Sequence, residues 1–231
     1  MALAEAIDLR LPWLMPWAPW LQPIVQALRS GAGVADALNQ TLGGFEAGHG
    51  AQGMRFVPQS SLPGGEAYEA FIFRTGCVPT RDNLHDLLNG ACWLRFPAIK
   101  RRLNALQAGQ IAVSGVGATR GPVRDALTLL DENALLLSGP PALREAHLWH
   151  DWPTMFVRER GLWAQTHVVA FGHALLEKLL QPYKSITAHV LWVDLPASGE
   201  GANPAALDTA FQQALVAQLT APWLATKPFL P

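Results

Sequence analysis

Only two of the 231 residues are cysteines, Cys77 and Cys92, too few for a disulfide framework. They read as reduced thiols, and no CxxC pair is present to suggest zinc or redox work. Charge is sparse as well: 15% of residues are Asp, Glu, Lys or Arg, and the formal net charge is −1. A balance that close to zero creates no overall field for nucleic acid or an anionic membrane. No apolar run reaches the roughly 18 residues a bilayer-spanning helix needs. The first residues carry Glu5, Asp8 and Arg10 and then four prolines between Pro12 and Pro23, without the basic start and unbroken apolar stretch of a secretory leader. These absences predict a cytoplasmic chain with no membrane and no nucleic-acid partner.

Familiar catalytic signatures are missing too. No serine sits in a G-x-S-x-G elbow. The stretch GVGATRG (residues 115–121) lacks the lysine and Ser/Thr ending of a phosphate-binding loop, and its third glycine is not at the spacing of a dinucleotide fingerprint.

What is present is an apolar chain, 50% hydrophobic, long enough to bury a sizeable core. Helical and strand-like segments are mixed without regular βαβ alternation. The expected class is therefore α+β, a helix-rich single domain over residues 1–231 with a small, mostly antiparallel sheet. Repeated prolines among Trp13, Trp17 and Trp20 predict an extended arm over residues 1–23 whose tryptophans need cover, on the core or in a dimer contact. Residues 221–231 read as an apolar tail. The runs LTLL and ALLL around Asp131, Glu132 and Asn133 predict a β-hairpin. Residues 186–195 predict a strand, and residues 171–180 and 204–219 predict helices.

Against this background one stretch stands out. Between Arg81 and Asn89 lie six polar side chains, Arg81, Asp82, Asn83, His85, Asp86 and Asn89, embedded in a helical pattern of leucines. Thr80 or Asp82 can cap this helix, and Pro97 ends it. At 3.6 residues per turn His85, Asn89 and Trp93 share a face, with Arg81 near the first turn. An imidazole, an amide and a guanidinium beside carboxylates can transfer protons or hold an anion. The alternative is a capped helix with Arg81 paired to Asp86 and His85 hydrogen-bonded in place.

A second polar group comprises Arg120, Arg124, Asp125, Thr128, Asp131 and Glu132. His173, with Glu177 one turn on, is a third contributor or a semi-buried histidine satisfied by that glutamate. An enzyme pocket built from these segments would use His85 as acid/base group, oriented by Asp86 or Asn89, with Asp125 as a second carboxylate. Arg81, Asn83, Asn89, Lys100, Arg124 and His173 would bind a small anionic substrate, and hydrolase-type chemistry suits that set. A metal-dependent version would draw on His85, Asp86, Asp125, Asp131, Glu132, His147 or His150, the last two from the H-x-x-H-D group. The alternative is a non-catalytic ligand-binding or structural protein whose polar cluster is a buried network.

The segments VPTRDNLHDLLNGACWLRFPAIKRRLN, RDALTLLDEN and FGHALLEKLL, with the W-x-x-M-F stretch beginning at Trp152, resemble a bacterial family known as domain of unknown function 3025. The resemblance runs from about Tyr68 to Leu191. It implies that Arg81, Asn83, His85, Asp86, Asn89, Lys100, Asn104, Arg124, Asp125, Asp131, Glu132 and His173 form one motif set, and it implies no fold, reaction or cofactor.

Overall fold

The computed structural model describes residues 3–45, 53–115, 121–195 and 204–229. Arg120 and His49, and most of GVGATRG, lie outside them. Helices dominate. The N-terminal part holds single 3-10 turns at Leu3–Glu5 and Met15–Trp17, then α1 (Ala18–Arg29) and α2 (Val34–Gly44). β1 (Arg55–Pro58) follows, with α3 (Tyr68–Thr75), β2 (Cys77–Thr80), α4 (Leu84–Arg95), α5 (Pro97–Ser114) and α6 (Pro122–Asn133). Then come β3 (Ala134–Ser138), α7 (Pro141–Leu148), β4 (His167–Ala170), α8 (His173–Leu180), β5 (His189–Trp192), α9 (Pro204–Gln218) and α10 (Ala221–Ala225).

The α+β class and the helix-rich character hold. The sheet differs from expectation. The described strands form two small sheets, β1–β2 and β4–β3–β5. β1–β2 and β3–β5 are parallel, and only β3–β4 is antiparallel. Parallel pairing arises because helices intervene between the partners: α3 between β1 and β2, α7 and α8 between β3 and β5.

The hairpin expected around Asp131 is absent. Pro122 opens α6 at a position where a missing N–H costs nothing, and the helix runs through Asn133 before β3 starts at once. Its buried residues Arg124, Ala126, Leu127 and Leu130 follow the 3.6-residue period and not the alternation of a strand. The arm of residues 1–23 is not extended either. Pro16 and Pro19 stand at helix starts, and Pro23 lies inside α1. The tail also winds into α10, capped by Thr220, whose hydroxyl accepts from the Trp223 amide.

One core cluster runs from Ala4 through α1, α2, α4, α5, α6 and α8 to Leu224. A smaller one lies under α7, built from Leu137, Leu143, Ala146, Met155, Val190 and Trp192. Two features steer α4. Gly76 ends α3 in the left-handed conformation (φ 69°), and a Cβ there would come within 2.5 Å of the Gly53 carbonyl oxygen. At the other end, Pro97 starts α5 directly after Phe96, so the two helices meet at a bend beside the polar residues.

Candidate functional site

The N-cap of α4 is Asn83, whose side chain accepts from the Asp86 amide at 2.8 Å. The expected caps have other partners. Asp82 accepts from the Val34 amide at the start of α2 (2.7 Å), and Thr80 donates to the Val78 carbonyl. Asp86, fixed in the first turn, takes the Arg81 guanidinium through Nε (3.0 Å) and Nη2 (2.8 Å) and also the Arg81 amide (2.7 Å). A guanidinium held this way is not a free anion clamp.

Arg81 and Asp86 border a cavity of about 370 Å³ lined by α3, α4, α5, α6 and the start of α8, with Gln59 and Leu62 from the segment before α3. Tyr68 and Glu69 enter from α3, His85, Asp86, Asn89 and Trp93 from α4, and Lys100, Asn104 and Gln107 from α5. Thr128, Asp131 and Glu132 come from α6, and His173 from α8.

At the mouth, His85 and His173 approach Nε2 to Nε2 at 3.1 Å, with ring planes 75° apart. His173 Nδ1 lies 2.7 Å from the Asp131 backbone carbonyl, which can only accept, so this nitrogen carries a proton. The neutral ring then offers Nε2 as acceptor, and His85 Nε2–H donates to it. His85 Nδ1 faces Glu177 Oε2 at 3.1 Å. The result is a proton-bearing chain from Glu177 through His85 and His173 to Asp131.

Behind it, the buried ammonium of Lys100 donates to Asn89 Oδ1 (2.7 Å) and to Asp131 Oδ1, and lies 5.4 Å from the centre of the Trp93 ring. Asn89 in turn donates to the Tyr68 hydroxyl (3.3 Å). Burial pushes the Asp131 carboxyl up, but Lys100 and His173 outweigh it and hold the group below its usual range. Burial also drives His173 down to about 4, against the pull of Asp131 and with help from Lys100 and His85. The Tyr68 hydroxyl is raised, by burial first and then by Asp86 and Asp131. Cys92 is buried inside α4, where burial pushes its thiol up to about 12, as expected of a core residue and not a nucleophile.

The cavity thus gathers Arg81, His85, Asp86, Asn89, Lys100 and His173 from the residues singled out in the sequence. Asn83 acts beside it as the cap. Asp125 does not line it. That carboxylate is exposed in the first turn of α6, where an acid suits the helix dipole, so the expected meeting of His85 and Asp125 across one pocket is replaced by His173 and Asp131. Arg124 is buried one turn before Thr128, outside the lining, and its Nε has no hydrogen-bond partner. His85 is oriented by Glu177 and His173, not by Asp86 or Asn89. Glu177 was visible as a helical neighbour of His173, but its hydrogen bond goes to His85.

His147 and His150 stand apart. His147 is buried and accepts from the Trp192 indole at 3.0 Å, while His150 is exposed with φ 54°. Among the described residues no three His, Cys, Asp or Glu side chains gather as a metal site. Thr128, from the second polar group, does line the cavity, whereas Tyr68 and Gln107 are lining residues that the sequence reading does not single out. The signal for Tyr68 lay in YEAFIFR, which as a helix places Tyr68 and Ile72 on one side.

Fold and site together define a helix-rich α+β protein with a small cavity whose mouth holds a hydrogen-bonded histidine pair. Residues 54–231 match the family described as Protein of unknown function (DUF3025), and the chain belongs to that family. The match includes the C-terminal helices, beyond the limits read from the motifs. No curated protein and no solved structure shows a significant match.

Proposed function

We propose that the chain is an acid/base enzyme of the hydrolase or related transfer type, acting on a small polar molecule in the cavity bounded by His85, Lys100 and His173. The observation that carries this reading is the 3.1 Å Nε2–Nε2 approach of His85 and His173 at the cavity mouth. Two imidazoles in contact, one held neutral by burial and one against a carboxylate, can exchange a proton without rearranging the backbone. The contact of His85 to neutral His173 is weaker than its contact to Glu177, so a substrate atom displaces it more readily. In that position His85 Nε2–H gives its proton to a leaving group, and the nitrogen so freed then takes one from a water or hydroxyl. Glu177 and His173 are positioning residues for it. Arg81 and Lys100 each already carry a carboxylate, so the anionic substrate expected from the sequence finds no free cation here.

The test is turnover of chromogenic ester, amide, glycoside and phosphate substrates by the full chain. His85→Gln is expected to lower any turnover about 10²–10⁴-fold, with the melting temperature little changed. Turnover that survives both His85→Gln and His173→Gln would sink the reading.

A specific observation favours a second reading, a non-catalytic network. Asn83, Arg81–Asp86 and Lys100–Asp131–Asn89 are satisfied by one another. On that reading His85→Gln yields no loss of turnover and costs stability, about 1–3 kcal/mol for a polar group left without its partner.

A further inference from the structure

The charge inventory of the cavity is lopsided. Its lining holds four carboxylates, Glu69, Asp86, Asp131 and Glu132, against two permanent cations, Arg81 and Lys100. The cations are consumed: Arg81 by Asp86 and Lys100 by Asp131. Among the described residues Glu69 and Glu132 have no ion-pair partner, so the surplus is negative and lies on α3 and α6, facing the cavity from two sides.

An independent observation points the same way. Gln107 is buried, lines the cavity, and leaves its Oε1 with no hydrogen-bond partner, its Nε2 making only a long 3.5 Å contact to Thr128. A buried acceptor without a donor costs free energy that a ligand N–H recovers. The Tyr68 ring also lines the cavity, and ring faces attract cations, while the Trp93 ring already has Lys100 beside it.

We propose that the cavity takes a small cationic molecule, an amine or guanidinium compound, with its charge among Glu69 and Glu132 and an N–H donor toward Gln107. This rests on reading the cavity as a ligand site, as above, but it needs no turnover. A cavity of about 370 Å³ has room for a small organic cation of this kind. A carboxylate or phosphate would meet two unpaired acids and no unpaired permanent cation.

The experiment is calorimetric titration of the full chain at pH 7.5 with agmatine and putrescine, against 1,4-butanediol and succinate as neutral and anionic probes of similar length. The amines are expected to bind at least about tenfold more tightly than butanediol, with succinate weakest. Raising the salt from 0.05 to 0.5 M is expected to weaken the amines, since rim carboxylates are screened. Glu69→Gln and Glu132→Gln, at a half-buried and an exposed position respectively, are each expected to weaken amine binding several-fold. Succinate binding more tightly than the amines overturns the inference, as does amine binding indifferent to both substitutions. Failure of all four probes to bind overturns it too, and leaves the acid/base reading to its own turnover test. Amine binding without turnover supports the inference and counts against catalysis alone.

Discussion

In the folded protein at neutral pH the His173 ring is held uncharged, because its side chain is 6% exposed and burial drives its pKa from 6.5 to about 4. A histidine whose folded pKa lies below its unfolded value favours folding fully only above pH 6.5. Between pH 6.5 and about 4 the unfolded chain binds the extra proton, so stability falls as pH falls. At 1.36 kcal/mol per pKa unit the loss is on the order of 3 kcal/mol. Asp131, depressed by Lys100 and His173 against its own burial, adds a further loss in the same direction at still lower pH. Urea unfolding at pH 7 and pH 4.5 measures this. The wild-type difference is expected to exceed that of His173→Gln by about 2–3 kcal/mol, and equal differences would show that the ring is not the titrating group.

At the scale of elements, the site depends on how closely the start of α8 sits on the end of α6. Gly172 makes that approach: a Cβ there would meet the Glu132 carbonyl oxygen at 2.4 Å and the Asn133 nitrogen at 2.5 Å, backbone atoms that cannot swing aside. Gly172→Ala is therefore expected to push α8 outward, lengthen the His173–Asp131 bond and cost about 1–3 kcal/mol of stability. In proton-detected NMR the His173 Nδ1–H resonance should shift or exchange faster. An unchanged resonance with unchanged stability would remove this role.

The same scale explains what could be read from the sequence. The polar cluster on α4 was readable because helical spacing puts His85, Asn89 and Trp93 on one face, and all three do line the cavity. Asp131 is visible in the sequence as a chemistry-bearing residue, but LTLLDENALLL alternates enough to resemble a hairpin with Asp131 in its turn. Only the packing of Leu127 and Leu130 into the core decides for a helix. Glu177 shows the limit most clearly. Periodicity reports neighbours within one helix, whereas its hydrogen bond spans 92 positions to His85. Pairings of that kind are made by tertiary structure, as is the replacement of Asp125 by Asp131.

On the scale of the whole molecule, the N-terminal segment and the rest are joined through Arg95. Its guanidinium pairs with Asp208 of α9 through two bonds, 2.7 and 2.9 Å, with both side chains 6% exposed. It also lies 4.5–4.9 Å from the ring centres of Trp17, Trp20 and Phe96. Arg95→Ala leaves Asp208 buried without its cation and removes the packing of two tryptophans. The expected cost is about 3–5 kcal/mol in chemical denaturation. A loss below 1 kcal/mol would mean that the pair is not a fastening.

That fastening bears on where this protein can be divided. The family match begins at residue 54, yet Trp17, Leu21, Ile24 and Leu38 of the preceding segment are buried in the same core cluster as Leu87, Phe96 and Phe171. Cutting the chain at the family limit would bare a strip of that core along α4, the helix that carries His85, and leave Arg95 facing water on the side where two indoles stood. The unit that sequence comparison delimits is thus smaller than the unit that folds. Any biochemical dissection aimed at the cavity has to keep the first 45 residues attached.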